Sequence, residues 1–237
     1  MSVTADLDIL VVDDASPYGA DKLQEISDSQ KSFDIYRSPV NQGFSASVNI
    51  GMRRARKQKR DILLANADTL FMNNKWLEIL QQNPADIVGP LLVYPNGLVQ
   101  HAGVYFSVIT RRFDHRYRLA PRTLAQVQKP INCPVTGALQ LIRYSTIEKI
   151  GIYDENYKMG YEDMDYCLMA FQNGLTCAYE PKSIVVHYES LFRHRNTPDK
   201  LKRWWDESQE YLINKHKDQD ILEYTPTLLD FFDEEEA

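Results

Sequence analysis

Short apolar runs, each closed by polar or acidic residues, leave this chain few folds to adopt. DILVV (8–12), DILLAN (61–66) and ADIVGP (85–90) show no polar alternation inside the run, and SIVVHYE (183–189) repeats the pattern towards the other end. Such runs fit strands covered on both faces, as in sheets flanked by helices, rather than hairpins with one wet face. The segments between them suit helices. A polar helix is expected near 20–30, and another over 44–58 with Phe44, Val48, Met52 and Ala55 on one face. FDIYR (33–37) reads as a strand, and a helix capped by Asn73 or Asn74 is expected to run through Leu80. Strands alternating with short helices predict an α/β domain with a mostly parallel sheet and right-handed crossovers.

The second half changes character. A Pro-Asn-Gly turn between apolar runs predicts a hairpin over 91–103. Residues 111–130 are basic without a clear period and read as a surface loop. A strand is expected at 137–144. A helix is expected at 162–174, with Cys167, Leu168 and Phe171 inward and Gly174 as its stop. An amphipathic helix follows at 200–216. No internal repeat or Gly/Pro/Ser-rich linker divides the chain, so one domain is expected over 1–216.

Composition narrows the function classes. The chain of 237 residues carries 27 Lys and Arg against 33 Asp and Glu. The excess of acid sits in the last eight residues, DFFDEEEA, where Asp230, Asp233, Glu234, Glu235 and Glu236 meet no base. An acidic tail over 217–237 on a near-neutral body disfavours a nucleic-acid partner. Cys133, Cys167 and Cys177 are too few and scattered for a disulfide scaffold or a zinc site, and suit a reducing compartment. MSVTADLDILVVDD has no basic n-region, and the longest uncharged stretch, 87–110, holds Pro90, Pro95 and Gly97. A cytoplasmic protein is expected.

In open α/β sheets ligands bind beyond the carboxyl ends of the strands. Past 8–12 stand Asp13 and Asp14; past 61–65 stand Asn66 and Asp68; past 183–186 stands His187. Glu162 and Asp163 open the 162–174 helix. Each alone has an ordinary reading: a turn cap, a strand exit, an acidic first helical turn, a structural histidine. Together they gather carboxylates and one imidazole at one sheet edge. Oxygen ligands with one imidazole suit Mg²⁺ or Mn²⁺, ions that pair naturally with a diphosphate.

ILVVDDASP also resembles the opening of a response-regulator receiver domain, but the phospho-acceptor position falls on Asn66. A longer resemblance runs through VVDDASP (11–17), NQGFSASVNIG (41–51), ILLANADT (62–69), the stretch GP…PNGLVQHAG (89–103), VTGALQLIR (135–143), IGIYDENYKMGYEDMDYCLMAFQNG (150–174) and VVHYES (185–190). In that order the chain resembles a family-2 glycosyltransferase of the GT-A fold, in the rhamnosyltransferase-like branch that builds bacterial surface polysaccharides. The resemblance implies a Rossmann-like, mostly parallel sheet with a smaller antiparallel part. Residues 1–90 would be the nucleotide-sugar half and 91–216 the acceptor and catalytic half.

It also implies roles. Asp13 or Asp14 would face the base or ribose of the nucleotide. Asn41, Gly43 and Phe44 would form the loop beside it, with Asn49 behind. Asn66 stands where the family's Asp-x-Asp motif usually has its first acid, leaving Asp68 and His187 to hold Mn²⁺ or Mg²⁺. Thr136 and Gly137 would line the cleft near the acceptor. Asp163, with Glu162 beside it, would be the catalytic base; the resemblance does not separate the two. The donor would be a UDP- or dTDP-sugar, the acceptor a saccharide or lipid-linked hydroxyl, and the transfer inverting.

Family members begin with a further strand, loop and helix, absent before 8–12, so the fold is expected to be N-terminally shortened. The exposed edge so created fits a homodimer contact. A catalytically impaired binding or scaffolding relative is the alternative. The basic loop 111–122 and Arg193, Arg195, Lys200, Lys202 and Arg203, with Trp204 and Trp205, fit either a solvated face over two core tryptophans or a peripheral contact with the inner face of a membrane.

Overall fold

The computed structural model describes residues 7–17, 20–30, 33–107, 112–126, 132–157, 159–188 and 198–218. In chain order the elements are β1 (Leu10–Asp13), α1 (Ala20–Gln30), β2 (Asp34–Arg37), α2 (Phe44–Gln58), β3 (Ile62–Ala65), β4 (Thr69–Phe71), α3 (Trp76–Gln82), β5 (Ile87–Val93), β6 (Val99–His101), β7 (Val104–Ser107), β8 (Arg112–His115), α4 (Arg122–Gln126), β9 (Leu139–Ile142), α5 (Tyr144–Ile150), α6 (Glu162–Gln172), β10 (Cys177–His187) and α7 (Pro198–Lys215).

Five strands form the main sheet in the order β3-β9-β5-β10-β4, and β6 pairs with β5 off that path. β5 is the spine, buried at every residue. Its odd positions Ile87, Leu91 and Val93 join Met52, Ile147, Cys167 and Phe171 beneath α2, α5 and α6. Its even positions Val88 and Leu92 join Trp76, Leu77 and Leu80 of α3 on the other face. Two covered faces explain the absence of alternation in this run.

The sheet is mixed rather than mostly parallel. β3, β5 and β10 run one way, while β9 between β3 and β5, β4 beside β10 and β6 beside β5 run the other. A proline inside a central strand removes a ladder donor. Pro90 is accommodated because the β5–β10 register shifts between Glu180 and Ile184. That irregularity carries Pro181 and Lys182, which is why β10 reads in sequence only from 183 although it begins at Cys177.

β1 corrects another expectation. It is half-buried rather than covered on both faces, and Ile9 just before it is 44% exposed. Among the described residues β1 pairs only with β2, in a separate parallel two-stranded sheet, and β3 pairs only with β9. α2 packs on both β1 and β3 and joins the two sheets. Arg54 on α2 pairs with Asp8 and, at 2.7 Å, with Asp34, which ties α2 to the strand pair β1–β2.

The 111–130 segment is not simply a loop. β7 and β8 form an antiparallel pair, α4 follows, and Arg116 and Ala125 are buried. The helices α2, α6 and α7 lie close to their expected limits. The acidic tail from 219 onward, and Arg193 and Arg195, lie outside the described residues. Among the described residues no helix is long and apolar enough to cross a membrane.

Candidate active site

The carboxyl ends of β3 and β10 meet at one corner of a cleft of about 640 Å³. Asn66 leaves β3 with its N–H on the Ala138 carbonyl (2.9 Å), and its own carbonyl accepts from the Thr69 hydroxyl (2.8 Å). The tight turn so formed holds Asp68 against His187 at the end of β10, with Asp68 Oδ1 3.1 Å from Nε2. The Asn66 amide nitrogen lies 3.4 Å from the same Nε2.

Gln100 decides the tautomer of His187. Its amide nitrogen donates to the His187 carbonyl (3.3 Å), which turns its oxygen to His187 Nδ1 at 2.7 Å. An amide oxygen only accepts, so Nδ1 carries the proton. Nε2 is left facing the Asp68 carboxylate, and a second-sphere acceptor on the far ring nitrogen is how histidine ligands are oriented. Carboxylate, imidazole and amide fit Mn²⁺ or Mg²⁺. Among the described residues no cluster of three or more His, Cys, Asp or Glu side chains forms a complete cage. An ion here would therefore take further oxygens from a ligand such as a diphosphate.

Across the cleft, α6 begins at Glu162. Asp163 Oδ2 accepts the Gly137 N–H at 2.7 Å and Oδ1 accepts the Met164 N–H at 2.8 Å. Gly137 favours this approach: a Cβ there would stand 3.2 Å from the Asp163 Cβ and 3.4 Å from the Phe44 ring. The chain enters α6 through two left-handed residues, Gly160 (φ 73°) and Tyr161 (φ 70°). A non-glycine residue held left-handed is strained backbone of the kind that gathers at working sites. Here the surroundings enforce it. The Trp205 ring packs where a Gly160 side chain would be, and Trp205 Nε1 donates to the Tyr161 hydroxyl at 3.0 Å.

The candidate nucleotide residues divide. Asp14 accepts from the Gln42 N–H (2.9 Å) and the Gly43 N–H (2.8 Å), while the Asn41 amide donates to the Asp14 carbonyl (3.2 Å). These bonds shape the loop that delivers Phe44 to the cleft. Asp13 accepts the Ser16 N–H at 2.9 Å and pairs with Arg37. Burial pushes its carboxyl up, but Ser16 and Arg37 outweigh burial and hold it below its ordinary value. Asn49 does not reach the cleft. It is fully buried and bonds the backbone N–H and carbonyl of Tyr153 (both 2.9 Å) and the Glu155 carboxylate (2.8 Å). The cleft wall thus brings together Phe44, Asn66, Thr136, Gly137, Glu162, Asp163 and His187, with Asp68 joined through His187.

Further residues belong to the wall without having been assigned a role in sequence, among them Gln100, His101, His115 and Tyr161. Gln100 and His101 lie in the quoted stretch 89–103 and Tyr161 in the stretch 150–174, whereas no quoted motif contains His115. Trp204 and Trp205 line the cleft, and Trp205 also packs against the buried cluster of Tyr161, Met164 and Leu168. Their helix α7 is clamped to α6: His216 Nε2 lies 2.7 Å from Asp165 Oδ1, and Lys215 donates to Asp165 and to Asp154, both at 2.8 Å.

The mixed sheet with helices on both faces has the GT-A fold of its structural neighbours. The chain superimposes on a crystal structure of GalNAc-T7 with UDP, GalNAc and Mn²⁺ at a TM-score of 0.63 and 19% identity, covering 96% of this chain and 48% of that one. It also matches the mannosyltransferase PcManGT from Pyrobaculum calidifontis, in complex with GDP-Man and Mn²⁺, at 0.54 and 15% identity, over 78% and 49%.

The chain belongs to glycosyl transferase family 2, whose sequence profile matches residues 3–151. It is 27% identical to the uncharacterized protein y4gI of Sinorhizobium fredii over 93% of its own length and 26% of that protein's. It is 26% identical to the O-antigen biosynthesis protein RfbC of Myxococcus xanthus, over 60% and 12%. The chain therefore spans about a quarter or less of these relatives.

Proposed function

We propose that this domain transfers a sugar from a nucleoside-diphosphate sugar to a hydroxyl of a saccharide or lipid-linked acceptor, with a divalent cation and with inversion at the anomeric carbon. The observation that carries the reading is the pairing of two groups across one cleft. Asp163, anchored by the Gly137 N–H, faces the Asn66–Asp68–His187 corner. Asp163 accepts the proton of the acceptor hydroxyl as that oxygen attacks the anomeric carbon from the face opposite the diphosphate, and the C–O bond to the diphosphate breaks. Asp68 and His187, with Asn66, would hold the ion, whose charge would offset that of the departing diphosphate. The Asp14–Gly43 loop carries Phe44 to the nucleotide side.

Support for a nucleotide-sugar donor comes from the GT-A relatives solved with UDP or GDP-Man and Mn²⁺. Support for a role in surface polysaccharide comes from RfbC. A hexose or deoxyhexose donor, a cytoplasmic setting with contact at the membrane's inner face, and a homodimer through the β1 edge belong to the same proposal.

A binding or scaffolding role is the second reading, favoured by β1 having β2 as its sole partner among the described residues. A thermal-shift panel with UDP, dTDP and GDP, each with and without Mn²⁺, separates the two. A ligand at a hundred times its Kd adds about 2.7 kcal/mol, roughly 5 °C in a chain of this size. A Mn²⁺-dependent shift with one nucleotide is expected. No shift with any nucleotide would turn the assignment to the second reading.

A further inference from the structure

Tyr161 is held in a conformation that a tyrosine resists. It stands at the head of α6 with φ 70°, where glycine or asparagine would sit at lower cost. Its carbonyl helps start the helix by accepting the Asp165 N–H (2.8 Å), a task any residue performs. What a tyrosine adds there is its ring and its hydroxyl. The residue is only 5% exposed, its ring centroid lies 5.0 Å from that of Trp205 and 6.4 Å from that of Phe113, and it forms part of the cleft wall.

The Tyr161 hydroxyl is only half engaged. Its oxygen accepts the Trp205 Nε1–H at 3.0 Å. An indole N–H only donates, so the phenolic proton takes no part in that bond. Among the described residues no group accepts it. Burial, first, pushes the phenol pKa up; the Trp205 N–H and the Arg112 charge oppose burial without reversing it. Tyr161 is therefore a neutral O–H donor in the cleft wall. A buried donor left unmade is costly, and a site built round one rejects ligands that cannot complete it.

Two features put this donor on the acceptor side. Tyr161 stands two residues before Asp163, and the corner of Asn66, Asp68 and His187 lies across the cleft. A neutral phenol beside aromatic faces suits the hydroxyls and C–H faces of a sugar, whereas a diphosphate draws charged donors. We propose that Tyr161 is an acceptor-binding residue whose O–H, aligned by the positioning residue Trp205, hydrogen-bonds a second hydroxyl of the saccharide that Asp163 deprotonates. This rests on the reading of the cleft as a glycosyltransferase site and names which residue selects its acceptor.

The test is NMR titration of the full chain with methyl hexopyranosides and their monodeoxy analogues, and separately with UDP, dTDP and GDP plus Mn²⁺. Tyr161→Phe keeps the ring and removes only the hydroxyl. At least one glycoside should bind the native chain. Tyr161→Phe should weaken it about three- to tenfold, the loss of one hydrogen bond, and leave nucleotide affinity unchanged. One monodeoxy analogue should already be weaker by that factor on the native chain and lose nothing further on Tyr161→Phe, while the other analogues lose the full factor. Such non-additivity marks a direct bond and does not arise from a loosened wall. Trp205→Phe leaves the hydroxyl without its alignment and should shrink the same discrimination. An equal loss across all glycosides, a loss of nucleotide affinity instead, or no glycoside bound at all overturns the proposal. Failure of every nucleotide to bind, with the discrimination among glycosides intact, would instead remove the donor reading.

Discussion

The backbone N–H of Gly137 and the carboxylate of Asp163 are joined at 2.7 Å, with so little room at position 137 that even a methyl group would stand 3.2 Å from the Asp163 Cβ. The loop before β9 and the start of α6 are thereby locked together at the point where the proposed base works. Gly137→Ala should push Asp163 and Phe44 apart by a few tenths of an ångström. Misplacement on that scale is expensive for catalysis and cheap for folding. Donor turnover is expected to fall about tenfold or more while the melting temperature moves little. Equal losses in both would show that Gly137 serves packing alone.

Asp163→Asn retains shape and removes the base. Turnover should fall by about 10² to 10⁴, the usual share of general-base catalysis, with nucleotide–Mn²⁺ affinity unchanged. Glu162→Gln is the companion variant. If Glu162→Gln proves the more damaging in a steady-state assay, the roles of the two acids are reversed.

Gln100→Leu leaves Asp68 and His187 in place but releases the His187 tautomer. Losses of outer-sphere partners commonly cost about 10–100-fold in metal affinity. The same drop is expected for Mn²⁺ titrated by calorimetry in the presence of the nucleotide that binds. Unchanged Mn²⁺ affinity would argue against His187 as a ligand.

Asp154 gives a pH signature. Burial pushes its carboxyl up, but the Lys215 ammonium, the Asn156 N–H and the Tyr211 hydroxyl outweigh burial and hold it at about 2. A carboxylate depressed in the folded state stabilises above its unfolded value, near 4, and that stability is lost as pH falls from about 4 to about 2. The contribution is roughly 2 kcal/mol. Urea midpoints should decline through this window, and Asp154→Asn should flatten the decline while lowering stability at neutral pH.

Gly103 adopts φ 89°, and a Cβ there would meet the Cys133 sulfur at 2.4 Å. Gly103→Ala should cost about 2–4 kcal/mol, the sum of left-handed strain and overpacking. Denaturant unfolding measures it directly. A cost under 1 kcal/mol would mean the β6–β7 turn relaxes freely.

The parts of the fold that could be read in advance are those whose cause is local. α2 and α6 carry apolar spacing and a glycine at one end, and the 91–103 hairpin carries its turn residues. What escaped has distant causes. α5 has no capping side chain of its own; the Tyr144 N–H is taken by Asp61, 83 residues upstream. β4 is three residues long and exists because β10 offers it an edge. β8 was hidden in a basic stretch whose alternation is only four residues deep. In the site, Asp68, Asp163 and His187 carried roles from their motif words, whereas Gln100 and His101 sat in a quoted stretch without a role because they act through other groups, and no quoted motif contains His115.

The pairing of β1 with β2 alone has a consequence for how the molecule opens. Two sheets that share no ladder need not lose their amide protection together. β1 and β2 lean on α2 through side chains such as Arg54, while β5, β9 and β10 are braced on both faces. Deuterium uptake should therefore proceed in two tiers, with residues 10–37 exchanging first. That early tier includes the Asp14 carboxylate that shapes the 41–44 loop but none of Asp68, Asp163 and His187. In the proposed reading, the flank beside the nucleotide would loosen while Asp68, Asp163 and His187 stay in register.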